Sequence, residues 1–193
     1  YNQEAYASRR IFSRGTPIFF TDGPVDTSAW AIFANTNFNV TEAFTLSTGL
    51  RFTDEEKEGS YLQTSEVAPF FNKLIPDLET SSTEPSWTVA GNFKWNSDTS
   101  TYLSVSRGFK SGGFNVDPLA TPAPLTAAEL TFDPEFVTTY EAGFKADMLQ
   151  NTLRLSGAVF FSDYQDRQVS QVDSVGGIPT VITRNAGESE IKG

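Results

Sequence analysis

The dominant feature of this sequence is a strict two-residue alternation of apolar and polar side chains. In residues 100–110, Leu103, Val105 and Phe109 fall on one face, and small polar or basic residues fall on the other. This period is that of a β-strand with one apolar face. The same pattern recurs in residues 28–40, 44–53, 86–96, 135–145 and 152–162. The sequence therefore predicts an all-β fold.

The connections between these strands alternate in length. Short turns are predicted at residues 40–42, 96–99 and 149–151, and long loops at residues 54–85, 111–134 and 165–178. Transmembrane β-barrels show this alternation, because their periplasmic turns are short and their extracellular loops are long. A Greek-key sandwich has no reason to obey it. The pattern favours an antiparallel transmembrane β-barrel segment over a soluble sandwich.

The two ends of the chain are less regular. Residues 5–12 are predicted as a strand, and the apolar run Ile18 to Phe20 is predicted to lie in a loop. Residues 179–193 are predicted to begin one further strand. With the six clear strands this makes seven or eight. We expect the chain to be a segment of a longer polypeptide, because no signal peptide precedes it and it stops inside a patterned run.

Aromatic residues mark the two ends of the apolar face. Four strands carry an aromatic pair eight residues apart: Trp30 and Phe38, Phe44 and Phe52, Trp87 and Trp95, Phe136 and Phe144. Eight residues cover about 26 Å along a strand. A tilt near 40° reduces this to about 20 Å, close to the apolar band of about 25 Å that aromatic girdles flank in membrane barrels. Aromatic residues are also common in strands generally, but the recurrence favours contact with lipid.

Charged residues of the strands fall mainly on the opposite face. Six of them are predicted to face an enclosed lumen: Arg51, Lys94, Lys110, Glu141, Lys145 and Arg154. A basic residue on the lipid side would cost about 2–4 kcal/mol at mid-membrane. Arg107 is predicted on the apolar side beside Phe109, at the outer rim, where a charge costs little. The pattern predicts a water-filled or plugged interior.

The composition argues against catalysis. The chain has no cysteine and no histidine, which removes thiolate and imidazole metal ligands and the usual general base. Its net charge of -10 argues against a nucleic-acid partner. We therefore expect no enzyme activity, no cofactor and no metal site.

Two short motifs have simpler explanations than a site. The acidic run 54–56 is predicted to be a solvated loop segment; the alternatives are a negative mouth that gathers cations and a site for the divalent ions that bridge surface lipids. Residues 108–113 superficially resemble a phosphate-binding loop, but Phe109 stands where that motif requires glycine before the lysine. Neither motif supplies a catalytic or ligand-binding residue.

Four segments together resemble a known family. They read Tyr102-x-Ser-x-Ser-Arg-Gly-Phe-Lys-Ser-Gly-Gly-Phe-Asn115, Phe132-Asp-Pro-Glu-x-Val-Thr-Thr-Tyr-Glu-Ala-Gly-Phe-Lys145, Ala158-Val-Phe-Phe-Ser-Asp-Tyr164 with Gln168, and Asn185-Ala-Gly-Glu-x-Glu-Ile-Lys-Gly193. This combination resembles the barrel of TonB-dependent outer-membrane receptors, particularly the receptors for iron complexes. The resemblance covers residues 28–193.

The resemblance implies a 22-stranded barrel in the outer membrane of a Gram-negative bacterium, closed by an N-terminal plug. It implies active import of a scarce nutrient, such as a ferric siderophore, with energy from an inner-membrane TonB complex. Residues 1–193 would then be part of one barrel domain, and the plug with its TonB contacts would lie outside them. The expected partners are outer-membrane lipid, the ferric siderophore or a similar ligand, and TonB. The resemblance fixes no ligand-binding residue.

Three other functions are compatible with parts of the pattern. A passive porin-like channel has the same strand physics and lacks an N-terminal plug. A soluble β-sandwich that binds carbohydrate would use Trp30, Trp87 and Trp95 as stacking residues. An outer-membrane lipase is disfavoured, because the chain lacks the histidine that usually serves as its base.

Overall fold

The structure is a computed structural model, which describes residues 1–13, 16–65, 69, 72–116, 126–150, 152–175 and 178–193. These residues form one eight-stranded antiparallel sheet and two small two-stranded sheets. One single-turn helix occurs among them, and it is too short to cross a membrane. The predicted all-β antiparallel fold with seven or eight strands in one sheet is confirmed.

The strands follow one another along the sheet. In chain order they are β1 (Asn2–Ser13), β2 (Thr16–Asn39), β3 (Phe44–Thr64), β4 (Lys73–Lys94), β5 (Thr99–Lys110), β6 (Gly113–Phe114), β7 (Thr131–Phe132), β8 (Glu135–Met148), β9 (Leu153–Gln165), β10 (Gln168–Val175), β11 (Ile178–Asn185) and β12 (Ser189–Lys192), with helix α1 (Ala127–Leu130) before β7. The large sheet has the order β1-β2-β3-β4-β5-β8-β9-β12, and the small sheets are β6-β7 and β10-β11. The large sheet is therefore an up-and-down meander, and its part that carries the alternating apolar and polar pattern is called the wall below.

The register gathers the predicted apolar residues on one face. Residues directly opposed in an antiparallel ladder point to the same side of the sheet. One such row joins Phe44, Phe93, Thr101 and Phe144 on four successive strands. We call this side the apolar face: it carries alternate residues from positions 30–38, 44–52, 87–95, 101–109, 136–144 and 153–161. We call the other side the polar face.

The apolar face has no protein layer over it among the described residues. Ile32, Leu103 and Val159 are each about two-thirds exposed, at 67%, 68% and 65%. The buried hydrophobic residues of the described chain are only Tyr61, Leu78, Leu130 and Ile182. A soluble sandwich would bury its apolar face against a second sheet, and both small sheets belong to the long connections. The sandwich prediction is therefore not supported.

The predicted loop at residues 54–85 is wrong. β3 continues to Thr64 and β4 starts at Lys73, and the two remain paired from Asp54–Thr83 to Gln63–Lys73. The connection is reduced to residues 65–72. Main-chain hydrogen bonds hold such a ladder whatever the side chains are. The hydropathy alternation fades here because both faces of this part of the ladder are largely polar.

The remaining irregular regions also contain more strand than predicted. Residues 5–12 lie within β1, as predicted, but Ile18 to Phe20 belong to β2 and not to a loop. The predicted loop at 165–178 contains β10, and residues 179–193 hold parts of two strands, β11 and β12, instead of one. The loop predicted at 111–134 is largely confirmed in its described part, where only β6, β7 and α1 are regular. Its residues 117–125 lie outside the described chain.

Three strands extend well past the apolar band, and β1 lies wholly alongside the extension of β2. β2, β3 and β4 have 24, 21 and 22 residues, although a membrane-spanning strand needs about 9–11. The surplus of about a dozen residues per strand corresponds to about 40 Å at the usual rise. We call residues 2–13, 16–29, 53–64 and 73–86 the projection. Tyr61 and Leu78 of the projection form a core cluster with Leu130.

Glycine is required where the segment after β5 meets β7. A Cβ atom at Gly112 would lie 2.5 Å from the Phe132 carbonyl oxygen, a main-chain atom that cannot swing aside. At Gly108, in β5, the nearest atom to a Cβ would be Val137 Cγ1 at 4.0 Å, which is ordinary contact.

We expect Gly112→Ala to loosen this segment at a cost of about 1–3 kcal/mol, the usual range for overpacking. Hydrogen exchange of residues 111–116, measured in the full-length protein, should accelerate. Gly108→Ala is the matched control and should leave this exchange unchanged. Equal exchange in the two variants would contradict the proposed close approach.

Candidate functional site

The polar face carries the charged residues that were predicted to face a lumen. The register places all six on this side: Arg51, Lys94, Lys110, Glu141, Lys145 and Arg154. Near the short turns one row across four strands reads Lys94, Ser100, Lys145 and Ser156. The prediction that these residues share one face is confirmed.

The polar face is more basic than the chain as a whole. Within the wall its five basic side chains stand against three carboxylates, Glu135, Glu141 and Asp147. Asp147 accepts two hydrogen bonds from Arg154, at 2.5 and 3.0 Å. Because the net charge of the chain is -10, most acidic residues lie elsewhere, and ten of the 24 are on the projection. A polar wall with this balance attracts anions.

Neutral side chains of the polar face bond sideways to one another. Asn37 accepts a hydrogen bond from Ser47 at 2.7 Å, and the hydroxyls of Thr139 and Ser162 lie 2.8 Å apart. Tyr102 donates to Glu141 at 2.5 Å, and its ring lies over Gly143, where a Cβ would come within 2.5 Å of the ring. These polar side chains thus bond to one another across neighbouring strands of the wall.

An open depression of about 470 Å³ lies in the middle of this face. Phe33, Asn35, Arg51, Ser86, Thr88 and Ser106 line it, together with parts of neighbouring residues. The lining offers amide and hydroxyl groups and the guanidinium of Arg51. It offers neither a nucleophile beside a base nor a cluster of metal ligands, and no group of three carboxylates elsewhere in the described chain is suited to hold a metal. This lining suits contact with a polar solute.

The chain after β5 folds back over the polar face of the projection. We call residues 111–116 the roof segment. Lys57 of β3 donates to Ser111 Oγ at 2.9 Å and to the Gly112 carbonyl at 2.7 Å. Because β4 separates β3 from β5, the roof segment crosses a whole strand to make these bonds. Phe114 and Val116 then pack against the cluster that contains Tyr61.

Glycines of the projection permit this close approach. A Cβ at Gly23 would lie 2.4 Å from Val116 Cβ, and one at Gly59 would lie 2.9 Å from the Pro24 carbonyl oxygen and 3.5 Å from the Phe114 ring. Side chains at these positions would hold the roof segment away from the strands. The roof therefore depends on glycine beneath it as well as on apolar contact.

Glu55 completes the attachment of the roof segment. Its Oε1 atom lies 2.9 Å from Lys57 Nζ. Burial alone would raise the pKa of Glu55, but hydrogen bonds with Lys57 and Ser111 and the charge of Lys57 outweigh it, so the pKa lies below its usual range. The carboxylate is therefore charged at neutral pH, and the lysine that holds the roof is itself held in place.

Two amide side chains join the long connections. Gln168 accepts no bond here but donates from Nε2 to the carbonyls of Ser111 and Asp133, at 2.9 and 3.0 Å. Its main-chain N–H donates to Glu135 at 2.7 Å. Asn185 accepts from the Asp133 N–H at 2.8 Å and donates to the Asp133 carbonyl at 2.9 Å. We call Gln168 and Asn185 the amide clasp.

A third amide fastens the β10–β11 hairpin to the roof segment. Asn115 donates to the Thr183 carbonyl at 2.8 Å and accepts from the Thr183 N–H at 2.7 Å. Asn185 also donates to the Asp166 carbonyl at 2.7 Å. The described parts of the connections 111–134 and 166–188 therefore form one hydrogen-bonded unit at the end of the wall.

No role for these amides was predicted from the sequence. Asn115, Gln168 and Asn185 all occur in the segments that carry the family resemblance, but up to 70 positions separate them. No local periodicity brings such residues together. Their position at or next to strand ends was the one available signal, and it does not identify partners. The predicted absence of fixed ligand-binding residues is left untested by this geometry.

Comparison with protein families gives one match over the whole chain. Residues 1–193 match the family model described as TonB dependent receptor-like, beta-barrel.

Individual relatives agree with this match. The chain is 29% identical over 163 residues to the probable TonB-dependent siderophore receptor PiuA of Acinetobacter baumannii, covering 84% of this chain and 20% of that protein. Its structure is similar to the ferric yersiniabactin uptake receptor FyuA from Yersinia pestis, with a TM-score of 0.78, 19% identity, and coverage of 98% of this chain and 26% of the other. The ferric-catecholate import receptor Fiu from E. coli K12 matches with a TM-score of 0.65, 17% identity, and coverage of 99% and 30%. The chain spans about a fifth to a third of these proteins.

We expect Asn185→Ala to release the clasp. The change removes three hydrogen bonds to main-chain groups, and we expect a local loss of about 1–3 kcal/mol. Hydrogen exchange at Asp133 and its neighbours in the full-length protein should accelerate accordingly. Asn96→Ala is a matched control, because Asn96 caps a short turn at the opposite end by accepting from the Asp98 N–H at 2.8 Å. Unchanged exchange at Asp133 in Asn185→Ala would show that the clasp is not formed.

The attachment of the roof segment should depend on acid in a defined direction. Because the pKa of Glu55 is lowered in the fold, its contribution is present above the unfolded value of about 4.3 and is lost as the pH falls through the folded value. Exchange of residues 111–116 should therefore be insensitive to this group between about pH 5 and 8 and should rise in acid.

Lys57→Gln should accelerate exchange of the roof segment about 10- to 100-fold at neutral pH, since it removes charge-assisted hydrogen bonds. Glu55→Gln should abolish the acid-dependent rise. The same acid-dependent rise in Glu55→Gln would assign it to another group.

Proposed function

The chain belongs to the TonB dependent receptor-like β-barrel family, and we propose that it forms part of the wall and mouth of an outer-membrane receptor that imports a ferric siderophore. In this proposal the apolar face meets lipid and the polar face lines the lumen. The chain contributes no covalent chemistry. It supplies a surface past which the ligand moves.

The observation that supports this function best is the two-sidedness of one continuous sheet. The apolar face stays uncovered over six neighbouring strands, while the opposite face carries the charges of the wall. A monomeric soluble protein rarely exposes so large an apolar patch. Hydrocarbon on one side and an aqueous or protein-filled lumen on the other accommodate both faces at once.

The aromatic pairs support the same placement. Trp30 and Phe52 approach each other at the end of the apolar face nearest the projection, with ring centroids 6.2 Å apart. Phe93 and Trp95 meet at 4.8 Å near the short turns. Aromatic rings of membrane barrels concentrate at the two interfaces. The projection would then stand outside the membrane, and the short turns would face the periplasm.

We propose that residues 1–193 are part of one barrel domain. The eight-stranded sheet leaves the outer side of β2 at residues 30–39 and the outer side of β12 without a partner strand in the described chain. In hydrocarbon such edges require pairing, which further strands of a 22-stranded barrel would supply. The plug and the TonB-contacting segment would belong to other parts of the full-length protein.

A siderophore ligand is supported by the relatives and by the charge of the wall. The similar proteins are described as receptors for siderophores, for ferric yersiniabactin and for ferric catecholates. The basic balance of the polar face suits an anionic iron complex. The loops joined by the amide clasp would form part of the mouth that captures it, and energy transmitted through TonB would open the lumen.

Uptake by the full-length protein tests this function. The gene would be expressed in a Gram-negative strain that lacks its own siderophore receptors, and uptake of siderophores loaded with radioactive iron would be measured. We expect uptake that is lost when tonB is deleted or when a protonophore collapses the proton gradient. Uptake that persists under both conditions would instead identify a passive porin-like channel.

A further inference from the structure

Arg107 is the charged residue of β5 that lies on the apolar face. Its cross-strand neighbours are Trp87 on β4 and Thr138 on β8. The other basic residue of β5, Lys110, lies on the polar face, opposite Glu135. Arg107 therefore points away from the lumen wall, on the side that is proposed to meet lipid.

The position of Arg107 along its strand is that of an interface. Trp87 is the projection-side aromatic of its strand, and Phe109 with Phe136 forms the next pair of the same face toward the long connections. In the proposed placement this level is the outer aromatic belt, where lipid headgroups lie. A guanidinium here is within reach of headgroup phosphates.

The guanidinium of Arg107 has no hydrogen-bond acceptor within the described chain. Its Cζ lies 5.1 Å from the centroid of the Phe136 ring, and the side chain is half-buried. Asp163 stands in the same row but on β9, with β8 between, which is about 10 Å away at the usual strand spacing. The ring attracts the charge but accepts none of its five N–H donors in a conventional hydrogen bond.

Several other basic residues of the described chain have an oxygen partner. Arg154 has Asp147, Lys57 has Glu55, and Lys192 has Glu190. Arg51 donates to Thr53 Oγ1 at 3.0 Å. The Arg107 guanidinium lies near an aromatic ring with its N–H donors open. This arrangement fits an anion that presents two acceptor oxygens for parallel hydrogen bonds, such as a phosphate group.

We propose that Arg107 binds the phosphate of a lipid in the outer leaflet, with Trp87 and Phe136 against the adjoining apolar part of that lipid. The inference rests on the proposed placement of the apolar face in the membrane. Arg107 would then be a specific lipid-binding position on a surface that otherwise contacts lipid only through apolar side chains.

A lipid is favoured over free phosphate by the charge of the surroundings. On the same face of the sheet, farther along the projection, Asp26, Glu58 and Glu79 stand in one cross-strand row. These carboxylates and the net charge of -10 repel a freely diffusing anion. A lipid is brought to the site by its acyl chains, and its local concentration does not depend on electrostatic attraction.

Native mass spectrometry of the full-length receptor tests the proposal. The detergent-solubilised protein would be titrated with bis-phosphorylated lipid A and with the same lipid after enzymatic dephosphorylation. We expect Arg107→Gln to weaken binding of the phosphorylated lipid about tenfold, as expected for loss of a charge-assisted pair, and to leave binding of the dephosphorylated lipid unchanged. Arg107→Lys keeps the charge without the fork and should fall between wild type and Arg107→Gln.

Arg51→Gln is the matched control, because it removes the same group from the polar face at a similar height. It should leave lipid binding unchanged. Heat-modifiable gel mobility would verify that each variant is folded. If Arg107→Gln is not folded, the comparison of the two lipids on the wild-type receptor, together with Arg107→Lys, still tests whether the phosphate is recognised. Three results would each overturn the proposal. They are equal affinity of the wild type for both lipids, equal affinity of Arg107→Gln and the wild type for the phosphorylated lipid, and displacement of the lipid by millimolar inorganic phosphate.

The iron-uptake assay separates this inference from the proposed function. A receptor that shows TonB-dependent uptake and no Arg107-dependent lipid binding would refute only the lipid site. A receptor that binds lipid through Arg107 but shows TonB-independent uptake would refute only the active-transport mechanism.

Discussion

The main-chain ladder is the constraint on which the rest of this structure depends. From β1 to β12 each strand of the large sheet is paired with its neighbour in register, so the N–H and C=O groups between neighbouring strands are satisfied without help from side chains. In hydrocarbon an unpaired main-chain group costs several kcal/mol. Once the ladder supplies these bonds, each face is free to match its own surroundings. One face can therefore be apolar and the other charged.

The same ladder explains why the projection and its roof differ from the wall. Beyond the apolar band there is no hydrocarbon to bury side chains, and the described structure makes a small core of its own from Tyr61, Leu78 and Leu130. The acidic residues collect on this part of the chain. Their mutual repulsion across directly opposed positions is tolerable there, because water and counterions screen it.

The sequence was sufficient to predict the wall and insufficient to predict its extensions. Alternation such as that of Leu103, Val105 and Phe109 reports a difference between two environments, and it is readable wherever one face meets lipid. It disappears at residues 54–85 because both sides of the projection are polar, although the strands continue. The contacts of Asn115 and Asn185 were not predictable at all, since they join residues distant in sequence through main-chain acceptors that leave no trace in residue type.

The attachment of the roof segment limits how the proposed receptor could open. Lys57 binds it to β3 with two hydrogen bonds, and the amide clasp joins the same region to the β10–β11 hairpin. Moving the roof away from the wall would break all of these bonds together, with the apolar contacts of Phe114. A movement that leaves the roof in place breaks none of them. In the proposed mechanism, energy from TonB therefore moves a separate segment inside the lumen, and this part of the mouth stays in place.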